Sequence, residues 1–184
     1  MVGWLLLILG LALWAGIHLF KRISPERRAK FGDPFKGVVA LTLVVSIVLM
    51  VLGYRATPVV NVWQPPGFFT HINNLLVLVA IYMMSPAPKR GAVLNERRHP
   101  MLTGFKLWAF AHLLVNGDLA SILLFGGLLA WAVVSVIMIN RAEPSWTPRP
   151  SGSLPMDGVF LLGSAVLLGV IGFVHNWLGV WPFG

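Results

Sequence analysis

Six apolar runs divide the chain, at residues 3–20, 37–54, 69–85, 101–115, 119–140 and 156–177. A helix rises 1.5 Å per residue, so about 20 apolar residues are needed to cross a hydrocarbon core of ~30 Å. Five of the runs meet or approach that length. The fourth is shorter, and its ends are expected close to the polar boundary. The expected fold is therefore an all-α integral membrane protein, a bundle of about six transmembrane helices in one domain over residues 1–184.

Composition agrees and removes alternatives. Apolar residues make up 57% of the chain and charged residues 11%, with a mean hydropathy of +0.81. A soluble domain of this length needs more charge on its surface. Cysteine is absent, which excludes disulfides, iron–sulfur clusters and thiolate catalysis and leaves five histidines as the strong nitrogen ligands. The first run resembles a signal peptide in length, but its charges follow it and no small-x-small cleavage site is evident. It is read as a helix.

The net charge of +8 has a membrane explanation. Of the 14 basic residues, all but Arg55 fall in three stretches. The first holds Lys21, Arg22, Arg27, Arg28, Lys30 and Lys36, the second Lys89, Arg90, Arg97, Arg98 and Lys106, and the third Arg141 and Arg149. These stretches alternate correctly with six spans. The positive-inside rule makes them cytoplasmic and both termini periplasmic, as expected of an inner-membrane protein, with the lipid bilayer and no nucleic acid as its partner.

Local signals fit the same map. Pro65-Pro66, Pro86-Ala87-Pro88 and the prolines from Pro144 to Pro155 mark loops, and Asp118 is placed to cap the fifth helix. Trp4, Trp63, Trp177 and Trp181 are expected in an outer aromatic belt. Gly10, Gly16, Gly163, Gly169 and Gly172 are expected to let helices pack closely.

Histidines near a membrane are costly enough to be examined as functional candidates. His18 ends the first helix and His99 precedes the fourth, so both are expected at the cytoplasmic face. His71 and His175 lie at the outer ends of the third and sixth helices. His112 is thirteen residues beyond His99, about 20 Å along a helix, and so lies deep toward the outer half. Two axial imidazoles on one haem iron must share a level, since metal–nitrogen bonds are near 2 Å. His99 and His112 cannot do so from one straight helix. His18 and His99 can, and two of His71, His112 and His175 form a second candidate pair. Depth alone does not bring such residues together laterally, and an interfacial histidine is often only tolerated there. Zinc is less expected, because no His-x-x-x-His or His-Glu-x-x-His pattern occurs.

Arg97, Arg98 and Lys106 crowd the start of the fourth helix. They can hold anionic groups such as haem propionates or phospholipid heads, or serve as a plain positive-inside anchor. Asn73, Asn74 and Asn116 are candidates for bonds across helices or for lining a cavity.

At these residues the chain resembles the NnrU-domain family of bacterial membrane proteins. The likeness runs from Ile17-His18 through Phe31-Gly32-Asp33-Pro34-Phe35-Lys36-Gly37 and Gly53-Tyr54. It is most specific at Arg98-His99-Pro100-Met101-Leu102-Thr103-Gly104, Leu107-Trp108-Ala109-Phe110-Ala111-His112-Leu113-Leu114 and Asn116-Gly117-Asp118. The resemblance implies a context of nitrite and nitric oxide metabolism, as in denitrification. A plant enzyme similar to this family, zeta-carotene isomerase, is a haem b protein. Its ligand motifs look like those around His18 and His99, which implies haem b here. Two departures stand out: Leu19-Phe20-Lys21-Arg22 follows His18 where the relatives favour small residues, and no cysteine precedes His99. A cysteine–histidine ligand exchange is therefore impossible in this chain.

Three functions follow as expectations. The first is a haem b protein with iron on His18 and His99 and with Arg97 or Arg98 near the propionates. It would be a redox protein, or an isomerase acting on an apolar small-molecule substrate. The second is a non-enzymatic accessory subunit of a respiratory complex. The third is a membrane methyltransferase using S-adenosylmethionine, suggested by Arg98-His99-Pro100 and Gly104. It is weakened by the region after the next helix, where Glu143 stands alone before Pro144 instead of in an acidic pair. A proton-coupled transporter lacks an acidic residue at mid-span.

Overall fold

A computed structural model describes residues 1–183. It is helical, with eight helices and no strand among the described residues: α1 (Val2–Ile23), α2 (Pro25–Lys30), α3 (Phe35–Ala56), α4 (Phe69–Met84), α5 (Ala87–Arg90), α6 (Pro100–Val115), α7 (Leu119–Ala142) and α8 (Leu154–Trp177). Each apolar run of the sequence became a helix. Four of them, α1, α3, α7 and α8, are long and apolar enough to cross a membrane. The other two, α4 and α6, have 16 residues each, a rise of about 24 Å, short of a hydrocarbon core. The third apolar helix is therefore as short as the fourth, where only the fourth was expected to be. Two short polar helices, α2 and α5, were not foreseen. Each has proline in its first turn, Pro25 and Pro88, where no amide donor is missed.

The chain forms two compact units from interleaved segments: Met1–Trp63 with Gly117–Ala142, and Gln64–Asn116 with Glu143–Gly184. In the first unit α1 packs along α3. Leu7 is fully buried there, and the backbones meet at glycines. A Cβ on Gly10 would stand 2.7 Å from Met50 Cγ and 2.8 Å from the Ser46 carbonyl oxygen. Gly3 is equally close to Ala56, and Gly53 abuts the Leu7 backbone. Asp118 does cap α7, its carboxylate accepting from the Ser121 amide at 2.9 Å. The Ser121 hydroxyl lies 2.8 Å from Tyr54 Oη, which ties the end of α3 to the start of α7.

In the second unit Val77, Ile81 and Ala111 form the core, with Leu76, Trp108, Leu168 and Ile171 around it. Gly104 sets the approach of α6 to α4, since a Cβ there would stand 2.7 Å from the Ala80 carbonyl oxygen. Asp157, in the first turn of α8, is buried and accepts three hydrogen bonds: from Tyr82 Oη at 2.5 Å, the Ala92 amide at 2.6 Å and the Val93 amide at 3.2 Å. This carboxylate fixes the loop after α5 to two helices.

The glycine and asparagine expectations need correction in part. Gly10 does meet a neighbouring helix, but Gly172 is approached by the Phe183 ring of the C-terminal tail, and Gly16, Gly163 and Gly169 face open space. Asn116 does not reach across helices; its amide donates to the His112 carbonyl at 2.8 Å and closes the end of its own helix. Asn73 donates to the adjacent Asn74, and Asn74 donates to the Pro182 carbonyl, each at 3.0 Å.

Candidate functional site: two imidazole and cation cavities

In the first unit, His18 sits on the last full turns of α1. Its Nδ1 lies 2.8 Å from the Trp14 carbonyl oxygen, one turn back. A carbonyl only accepts, so Nδ1 carries the hydrogen and Nε2 of the neutral ring keeps its lone pair. That is the tautomer of an Nε2 metal ligand oriented by a backbone hydrogen bond. The ring is held between Trp14 and Trp131, at centroid distances of 4.4 and 4.6 Å. It lines a cavity of about 280 Å³ with Ile17, Phe20 and Val39 on the apolar side and Lys21, Arg28 and Lys36 on the charged side. Arg28 is placed by its neighbours: its guanidinium lies 4.9 Å over the Phe35 ring and donates to the Gly32 carbonyl at 3.2 Å.

In the second unit, His99 is the N-cap residue of α6, and Pro100 occupies the first turn. It lines a cavity of about 400 Å³ together with Lys89, Arg98 and Arg149, against Met83, Met84, Met101 and Leu102. Arg98 donates to the Glu143 carbonyl. Arg149 is fixed through its backbone: its amide donates to the Asn95 carbonyl at 3.3 Å, and the Asn95 side chain returns a bond to the Arg149 carbonyl at 3.2 Å. Its Nη1 is buried without a hydrogen-bond partner.

The sequence candidates are thus distributed unevenly. His18 belongs to the first unit and His99 to the second. Arg98 lines the His99 cavity, whereas Arg97 and Lys106 do not. His112 stands near the other end of α6, its Nδ1 bonded to the Trp108 carbonyl at 2.9 Å. On α8, His175 repeats the pattern with the Ile171 carbonyl at 2.8 Å. Arg28, Lys36, Lys89 and Arg149 were not singled out in the sequence. Their basic charge was visible, but only the turns at Gly32 and Asn95 reveal which of many cations face a histidine. Among the described residues no group of three or more His, Asp or Glu is arranged to hold a metal ion.

Four apolar helices of membrane-crossing length, with cavities that set an imidazole beside cations at the end of α1 and at the ends of the shorter α4 and α6, define a helical membrane protein with polar sites at its helix ends. Residues 6–182 match the family described as NnrU protein, and the chain belongs to that family. No curated protein and no solved structure matches it.

Proposed function

We propose that the chain is an inner-membrane haem b protein. His18 supplies an axial ligand through Nε2, and Lys21, Arg28 and Lys36 receive the propionates. The carrying observation is the state of His18: Nδ1 held by the Trp14 carbonyl, the ring fixed between two tryptophans, and three cations in the same cavity. These residues fit the group, because haem needs a neutral imidazole, an apolar wall and cations for its two carboxylates. Bound there, haem b would supply one-electron redox chemistry, in the nitrogen-oxide context of the family or toward an apolar substrate. The chain's own residues orient the imidazole, exclude water with Trp14 and Trp131, and neutralise carboxylates with Arg28 and its neighbours.

Titrating purified protein with hemin tests this reading. His18→Ala is expected to abolish the bound-haem absorption band. Changing Lys21, Arg28 and Lys36 together to Gln is expected to weaken binding by about tenfold or more, since hydrogen bonds to charged groups are worth ~1.5–3 kcal/mol. Wild-type protein that binds no hemin, or a triple variant equal to wild type, contradicts it.

A further inference from the structure

The cavity around Arg149 does not end at its cations. A second cavity, of about 420 Å³, shares Met84, Ser85 and Pro86 with it and continues between α4 and α8. Its wall is apolar, running along α8 from Phe160 to Ile171. That stretch rises about 16 Å, close to half of a hydrocarbon core. Ser164 also lines it, but its hydroxyl is turned back to the Phe160 carbonyl at 2.7 Å and offers the groove no polar group. Gly163, on the same wall, has nothing within 4 Å of where a Cβ would stand, so the groove is open there.

The two cavities have complementary chemistry. One holds Lys89, Arg98 and Arg149, with the buried Arg149 Nη1 lacking a partner. The other is an apolar groove about 16 Å long that borders it at Met84, Ser85 and Pro86. A buried guanidinium nitrogen without an acceptor is costly unless an anion meets it. We infer that these two adjoining cavities together form a binding site for an anionic phospholipid. The phosphate lies at Arg149, Lys89 and Arg98, and one acyl chain lies along the α4–α8 groove. The inference goes beyond the haem reading and uses different cations.

Native mass spectrometry of the detergent-purified full chain tests it, because bound lipid and bound haem differ in mass. The probes are phosphatidylglycerol, phosphatidylcholine with the same chains, and inorganic phosphate. Wild type is expected to bind one phosphatidylglycerol about tenfold more tightly than phosphatidylcholine. Arg149→Gln removes that preference. Gly163→Phe, which fills the groove, weakens both lipids and keeps the preference. Lys89→Gln repeats the head-group test if Arg149→Gln alters thermal melting. Equal binding of the two lipids, a head-group variant without effect, or displacement of lipid by inorganic phosphate at equal concentration overturns the inference.

Discussion

Asp157 shows how much one side chain can hold. Its carboxylate receives the Tyr82 hydroxyl and the amides of Ala92 and Val93 in a buried setting. Asp157→Ala leaves three donors without an acceptor, at a cost of about 3 kcal/mol or more. Tyr82→Phe removes one bond and costs roughly 1.5 kcal/mol. Thermal melting in detergent is expected to fall more for Asp157→Ala than for Tyr82→Phe, with the double variant melting close to Asp157→Ala alone. Additive losses would show that Tyr82 acts independently of the carboxylate. In the sequence Asp157 reads only as an acid near a helix start, because the residues it joins lie 64 to 75 positions away. His18 was easier to find: its helix position was enough to make it a candidate. The Trp14 bond that fixes its tautomer follows from ordinary helix spacing, whereas the Trp131 wall does not.

At the scale of elements, the apolar runs translated into helices because a stretch of Leu, Val, Ile and Ala has few other ways to satisfy its backbone in lipid. Helix packing was less legible. Every helical glycine looks alike in sequence, yet only some meet a neighbouring backbone. Gly104 approaches the Ala80 carbonyl, whereas Gly169 faces open space. Gly104→Val is therefore expected to force α4 and α6 apart, destabilising the fold by about 1–3 kcal/mol. Gly169→Ala is expected to be neutral or to stabilise by up to ~1 kcal/mol, through the better helix propensity of alanine. Paired denaturation or melting curves check this; similar losses for both would refute close packing of α4 and α6 at Gly104. The third run and α4 agree to within one residue, Ser85 taking an extended backbone that closes the helix.

At the scale of the whole molecule, the basic loops predict which segments share a side of the membrane. The chain has no cysteine, so single cysteines can be introduced cleanly. Lys30→Cys and Ser151→Cys are expected to be labelled from the cytoplasmic side, and Val59→Cys from the opposite side. Labelling of Lys30→Cys and Ser151→Cys from opposite faces would contradict the topology. Charge counting gives this expectation without tertiary detail. The interleaving of segments into two units was out of its reach, since it depends on which helices touch, as α1 touches α3 and α7, and α4 touches α6 and α8. The same limit kept Arg149 hidden. It sits in a proline-rich stretch that reads as a loop, and only the reciprocal bonds with Asn95 bring it to a cavity.

Whether His18 holds haem b is decided by a reduced-minus-oxidised visible spectrum of protein purified from haem-replete cells, beside a His18→Ala variant that melts as wild type does. Wild type is expected to show a b-type haem signal that the variant loses. A wild-type preparation without that signal, or a variant that retains it in full, would overturn the haem reading.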